Sequence, residues 1–359
     1  MDGTTISNTT RITPLVIEQS GATPSSARHP HHVRRHQCRQ STTHAEAITS
    51  QALDAALRIY GAQDANSAMR APRLLRDALS LARAAAGSPA AWRTVIDQTI
   101  RPHPVFNRVL EDPFVHRCYA KPRGYAGDAE LLDFIYQHPA ARPALDATTP
   151  CGRASANFTT NAPGPRAVRN RAWLLAEEID RTEARAGGST EILSLACGHL
   201  REASLSRALA GGRCRRFLAL DQDAASLAVV REHAGTLGVE AREGSVKTVI
   251  ARSESLGGRF DFVYAAGLYD YLSDKVAARL LQALFDLTKP GGKVWIANFA
   301  PGIDDIAFME AFMDWWLIYR DEAQMQALAD QALPPAELDS TRVFTEHENN
   351  IVFLEAVRQ

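Results

Sequence analysis

The chain lacks paired cysteines. Its five, Cys38, Cys118, Cys151, Cys197 and Cys214, are scattered, and none stands in a CxxC pair, so neither a zinc site nor a disulfide framework is indicated. It has no HExxH motif, so no zinc-dependent chemistry is expected. It also lacks excess charge of either sign: 40 Lys and Arg face 41 Asp and Glu, a net charge of -1. No global field then favours nucleic acid or an anionic membrane. No apolar run approaches the roughly 20 residues of a membrane span, and the N-terminus has no apolar signal core. No internal repeat is visible. The expectation is a cytoplasmic protein that takes a small-molecule partner, no nucleic acid, and does not insert in a membrane; its oligomeric state is not written in the sequence.

What is present is the composition of a globular protein: 359 residues, 45% hydrophobic and 23% charged, enough for one large or two ordinary domains. Residues 1–44 are rich in Ser, Thr, Pro, His and Arg and read as a disordered tail. Its cluster HPHHVRRHQCRQ (His29 to Gln40) reads as a solvated basic stretch rather than a metal site, having no acidic or second Cys ligand. Residues 45–147 have helical apolar spacing, with Ala52, Ala55, Ala56, Leu57 and Tyr60 on one face and Leu74, Leu75, Ala78, Leu79 and Leu81 on another. A third face, Leu131, Leu132, Ile135 and Tyr136, follows the turn residues of KPRGYAGD. Residues 148–166 carry three prolines and two glycines and read as a linker.

A helix is expected at 167–184, and strands and helices then alternate. Candidate strands are 192–196, 217–220, 239–243, 260–265 and 293–298, with a closing pair near 342–345 and 350–356. This predicts an α/β fold with a mainly parallel sheet covered on both faces. The last pair is joined by only EHEN, too short for a crossover, and must be antiparallel.

Five strand ends carry chemistry. ACGHLRE follows the first strand; Ala196, Cys197 and Gly198 are small enough for close ligand approach, but one glycine is not the GxGxxG dinucleotide fingerprint. Asp221 ends the second strand, where a carboxylate can hold a ribose diol or cap the next helix, a task Asp223 can also take. Gly244 and Ser245 follow the third strand. Ala265, Ala266 and Gly267 end the fourth, with Tyr269, Asp270 and Tyr271 at the mouth. KPGGKVWIANFA is a Pro-Gly-Gly turn feeding the fifth.

In this order the five resemble the class I S-adenosylmethionine (SAM)-dependent methyltransferases, over about Arg166 to Gln359. The resemblance implies a Rossmann-like seven-stranded sheet with an antiparallel last strand, here preceded by a helical domain, and SAM as co-substrate with no metal. It implies that Ala196, Cys197 and Gly198 line the methionyl and ribose parts, that Asp221 holds the ribose, that Gly244 and Ser245 meet the adenine, and that Ala266 and Gly267 flank the sulfonium. Many members have GxGxG in the first turn; this chain keeps one glycine. KPRGYAGDAELLDFIY and FMDWWLIYRDEAQM resemble a bacterial subgroup with a helical cover. It includes enzymes for methyl esters of 3-hydroxy fatty acids and resembles SAM-cyclising azetidine-2-carboxylate synthases.

Within PRGYAGD, Arg123 is a candidate for a carboxylate of SAM or substrate, or for an ion pair with Asp128. Gly124 and Gly127 allow Tyr125 and Asp128 to be aimed inward, and Tyr125 is placed to lie against the sulfonium. Candidate proton acceptors are Asp128, Tyr269, Asp270, Tyr271 and His199, the last also readable as a solvent residue at a helix start, and Tyr125 is a catalytic candidate through its ring. Arg320 reads as a substrate-carboxylate ligand or a surface ion pair, and Trp315 and Trp316 as packing.

Overall fold

The computed structural model describes residues 31–62, 64–252 and 256–359, without the side chains of residues 31–40, 65 and 252. The His-rich cluster therefore lies outside the described side chains. Seven strands form one sheet: β1 (Glu191–Leu195), β2 (Arg216–Asp221), β3 (Val239–Glu243), β4 (Phe260–Ala265), β5 (Thr288–Phe299), β6 (Leu338–Thr345) and β7 (Ile351–Arg358). Their order is β3-β2-β1-β4-β5-β7-β6. β1 to β5 pair in parallel, whereas β7 runs antiparallel to both β5 and β6. The chain is thus the expected seven-stranded α/β sheet, with a helical N-terminal region. Near-continuous apolar burial in β1, β2, β4 and β7 is the mark of strands covered on both faces.

The sheet reverses between β1 and β4, so the chain leaves these neighbours toward opposite faces and opens a crevice at their carboxyl ends. One face packs the helices Asp274–Asp286 and Glu322–Ala332 in a core of their own. The other shares one continuous core with the N-terminal helices: Leu53, Leu75, Trp92, Phe114 and Leu131 belong to the same cluster as Ile192, Phe217 and Trp295. The N-terminal region is therefore a cover fused to the sheet through apolar contact. On its second helix, Ala65–Ala86, Leu75, Leu79 and Ala82 make the buried stripe while Leu81, expected on it, is 66% exposed.

Two expected boundaries move. The first helix is His31–Tyr60, so residues 31–44 are helical rather than tail. The expected linker contains the helix Pro150–Thr159 and the start of Pro163–Ala186. Its prolines occupy the first helical turn, where a missing N–H leaves no bond unmade, and Thr149 caps the former by accepting from Gly152 N at 2.9 Å.

The cover contains one buried charge with a consequence for stability. Asp112 caps Pro113–Ala120 and accepts from Phe114 N at 2.9 Å and from the Thr159 hydroxyl at 2.6 Å. Burial pushes its pKa up to about 7 against those hydrogen bonds. A carboxyl with a raised folded-state pKa stabilises the fold fully below its unfolded value near 4 and loses that contribution as pH rises through about 7. Asp112→Asn should therefore unfold with less pH dependence than the wild type. The difference should grow between about pH 4 and 7, at up to about 1.4 kcal/mol per pH unit, and level off above that. Parallel denaturation curves for the two proteins across that range would dismiss the assignment.

Candidate functional site

The site is built on the turn after β1. Ala196, Gly198 and Leu200 have φ of 54°, 53° and 51°, the alternate positions of the GxGxG pattern. The backbone keeps the left-handed conformation while two of the three residues carry a Cβ, a cost of about 1 kcal/mol or more each. The turn is held from beneath: Cys197 N donates to Leu220 O at 3.1 Å, and Gly244 N to Asp221 O at 2.9 Å. Gly198 N donates to Asp221 Oδ2 at 2.8 Å and Asp223 N to Asp221 Oδ1 at 2.9 Å. One carboxylate thus fixes the ends of β1 and β2 together. Each oxygen keeps a lone-pair site, so Asp221 can still accept from a diol. Burial raises its pKa against the pull of those N–H groups. Asp223 takes the cap, accepting from Ala225 N at 3.0 Å.

The remaining expected ligands divide. Ala266 is half-buried and Gly267 exposed at the end of β4, as an open pocket floor requires. Gly244 is buried against Leu220. The Ser245 hydroxyl accepts from Thr248 N at 3.2 Å and so caps the following helix. The Cys197 thiol is pushed well up by burial and is no nucleophile.

The PRGYAGD loop lies across this mouth and is fastened at several points. Lys121 Nζ meets Asp314 at 2.6 Å, Tyr271 Oη donates to Ala126 O at 3.3 Å, and Trp315 Nε1 donates to Tyr271 Oη at 2.8 Å. Arg123 does not pair with Asp128. It bridges Asp223, Ser226 Oγ (2.9 Å) and Glu130, joining cover to core. Asp128 instead receives both arms of Arg117 at 2.9 and 2.8 Å and caps Ala129–Ile135 through Leu131 N at 2.8 Å. With these partners and 1% exposure, it is structural rather than catalytic. Tyr125 is 36% exposed; burial, then Asp221 and Asp223, raise its pKa. Tyr271 lies close enough that burial, Asp270 and Tyr125 act on it in the same sense. Tyr125 and Tyr271 are therefore the candidates that do share the mouth.

Other candidates do not reach it. Tyr269 is fully buried in the core on the opposite side of the sheet, and its hydroxyl has no partner. Asp270 accepts from Phe299 N at 2.7 Å, while its carbonyl takes Ile318 N at 2.7 Å. Burial pushes its carboxyl up to about 6, but it buttresses β5 from 3% exposure. Arg320 is neither a substrate ligand nor a surface residue. At 2% exposure it binds Tyr269 O (2.9 Å), Leu272 O (2.7 Å), Asn298 Oδ1 (2.8 Å) and Asp274 (2.7 Å). Trp315 is buried packing, and Trp316 lies under Arg93, 4.0 Å from its ring centre.

Sequence reasoning misread His199 and missed four charges, Asp133, Arg201, Glu202 and Arg171. His199 is no solvent residue: its Nδ1 is 2.9 Å from Asp133 and its Nε2 is buried without a partner. Asp133 is also gripped by Arg201 at 2.7 and 2.9 Å; burial opposes, but His199 and Arg201 hold its pKa down to about 2. These residues edge a cleft of about 580 Å³ with His116, Arg117 and Glu130, which none of Ala196, Gly198, Asp221 or Gly267 lines. Glu202, also buried, takes the Tyr264 hydroxyl at 2.8 Å. Arg171, on Pro163–Ala186, donates to Ala266 O at 2.6 Å from 5% exposure. Such residues betray themselves in sequence only as single charges on apolar helix faces, as in LLDFIY and NRAWLL. Among the described residues no group of three or more His, Cys, Asp or Glu is placed to hold a metal, and no helix is long and apolar enough to cross a membrane.

Residues 192–292 match the family model described as a methyltransferase domain. No curated protein matches the chain significantly. Among solved structures, a possible exported protein from Bordetella parapertussis is similar over 76% of this chain and 99% of its own, at 17% identity and a TM-score of 0.52. The SAH-bound magnesium protoporphyrin IX methyltransferase from Synechocystis PCC 6803 covers 55% of this chain and 87% of its own, at 13% identity and TM-score 0.39. An O-methyltransferase family protein from Burkholderia thailandensis covers 63% and 61%, at 14% identity and TM-score 0.40. Of these three, the first carries a likeness of fold across the cover as well as the sheet, and the match to the methyltransferase-domain model spans the strand ends β1 to β4 that build the mouth.

Proposed function

We propose that the chain is a SAM-dependent methyltransferase acting on a small-molecule acceptor in the cytoplasm, where SAM is made. The observation that carries this reading is Asp221, a buried carboxylate at the end of β2, locked to the glycine turn of β1 and retaining acceptor capacity toward the mouth. SAM supplies an activated methyl group. The protein then has to exclude water and align the acceptor with the S–CH3 bond. Tyr125 of the cover and Tyr271, which follows β4, close the mouth, and Tyr125 offers its ring to the sulfonium.

The acceptor class follows from the groups that are free. Asp128 is held by Arg117 and Leu131 N, Asp270 is buried against Phe299 N, and burial raises both mouth phenols, so the mouth provides no ready base. A nucleophile already anionic at neutral pH, such as a carboxylate, needs none. The test is the product. Incubation with SAM and a panel of carboxylic acids should give S-adenosylhomocysteine and a methyl ester. Methylthioadenosine formed from SAM alone, above the uncatalysed rate, would replace this reading with intramolecular cyclisation. No heat of SAM binding in calorimetry would remove both.

A further inference from the structure

We infer that Arg171 is the carboxylate anchor of this site, a role that the sequence suggests for Arg123. The inference rests on the reading of the mouth as a SAM site. Arg123 cannot serve, since its guanidinium is held by Asp223, Glu130 and Ser226. Arg171 reaches the mouth from beneath. Its Nη1 donates to Ala266 O at 2.6 Å, and its Nη2 lies 3.6 Å from where a side chain on Gly267 would begin. The guanidinium is therefore stacked under the two small residues that end β4.

Its charge has no counter-ion. Among the described residues no carboxylate stands within ion-pair distance of Arg171, although the residue is 5% exposed. Two acids feel its field but are bound elsewhere: Glu202 to the Tyr264 hydroxyl at 2.8 Å and Asp270 to Phe299 N at 2.7 Å. The Tyr136 phenol, which burial keeps neutral, hydrogen-bonds with Arg171 and brings no charge to it. An unpaired buried cation is unfavourable by itself. It is doubly unfavourable beside a pocket meant for a sulfonium, unless the occupied pocket also brings an anion. A carboxylate does so, and a guanidinium is the group that grips one in a planar, two-pronged way. The carboxylate has two sources, the methionyl end of SAM or an acidic acceptor.

Calorimetry on the full chain separates them. Arg171→Met and Arg171→Lys are compared with wild type for SAM, for decarboxylated SAM and for methylthioadenosine, with octanoate titrated into enzyme saturated with S-adenosylhomocysteine. If Arg171 holds the methionyl carboxylate, Arg171→Met weakens SAM by about 10- to 100-fold and leaves the two ligands without a carboxylate within about twofold of wild type. Arg171→Lys recovers part of the loss. If it holds the acceptor, SAM is unchanged and octanoate binding is lost. Equal losses for SAM, decarboxylated SAM and methylthioadenosine mark a purely structural role and overturn the proposal. So does an unchanged affinity for both carboxylate ligands. Thermal unfolding of each variant reports whether the fold is kept, and Arg171→Lys carries the comparison where Arg171→Met does not fold. A wild type that binds no SAM defeats the reading of the site itself, and the anchor falls with it.

Discussion

Asp221→Asn should weaken SAM binding by on the order of 100-fold and lower the unfolding midpoint less than Asp221→Ala does. The amide keeps the shape of the carboxylate, but its single oxygen can accept from Gly198 N or from Asp223 N, not from both, and its NH2 group then faces the other N–H. What it loses is the charge and one acceptor, which together distinguish a ribose diol held by two charge-assisted bonds from one held by a single neutral bond. Each such bond to a charged group contributes about 1.5–3 kcal/mol, so losing the better part of one to two of them gives the stated factor. Asp221→Ala should lose as much affinity and more stability, because both turn N–H groups, rather than one, are then left without an acceptor. The same group sets a pH dependence. Burial raises the Asp221 pKa, and the ribose bonds need the ionised form. Affinity should therefore fall on acidification, beginning at a higher pH than for an ordinary carboxylate, and Asp221→Asn should be flat over that range. Wild-type affinity for SAM in Asp221→Asn would remove the nucleoside assignment.

The sheet was legible because its strands are short apolar runs that alternate with helices, and because β6 and β7 are joined too closely to be parallel. The positions of β3 and β4 match the expected residues throughout, and β5 differs mainly in beginning at Thr288, ahead of the Pro-Gly-Gly turn. The lone glycine of ACGHLRE was a fair warning about sequence but not about backbone, since Ala196 and Leu200 adopt the left-handed conformation anyway. Conformation there is imposed by the bonds from Cys197 N and Gly198 N to β2, which no local propensity reports. Prolines misled in the opposite direction at 150–165, where they open helices instead of breaking them.

The site was less legible than the sheet. Strand ends say where a pocket lies, not which neighbouring charges are free to act in it. Asp128, Asp270 and Arg320 look functional by type and position; each is buried and held by a partner from another segment, Arg117, Phe299 and Asp274 respectively. Arg171 looks like one more arginine on an amphipathic helix and proves to face Ala266. Pairings of this kind are decided by tertiary contact, so a single sequence ranks candidate residues by chemistry but not by availability.

The sharpest structural demand falls on Gly127, and Gly127→Val should unseat the cover. The residue has φ of 75°, which a β-branched side chain adopts only with strain. A Cβ there would come within 2.7 Å of Tyr271 Oη and 2.8 Å of the Trp315 ring. Neither neighbour is free to give way. Tyr271 Oη is fixed between Trp315 Nε1 and Ala126 O, and Trp315 is buried in the shared core. The loop must then lift, and its movement strains the Lys121–Asp314 and Arg123–Asp223 contacts that precede Gly127 in the loop. The backbone conformation and the clash together should cost roughly 2–4 kcal/mol. Part of that cost appears as a lowered unfolding midpoint and part as faster hydrogen exchange across residues 121–128. Turnover should fall by at least tenfold, since an open mouth admits water and loses the Tyr125 ring, while SAM affinity through Asp221 should fall much less. Gly124→Ala makes the control: it shares the positive φ but meets nothing within 4 Å, so it carries the backbone strain without the clash. If Gly124→Ala and Gly127→Val lose turnover equally, the close approach of Gly127 to Tyr271 and Trp315 is not what seats the cover.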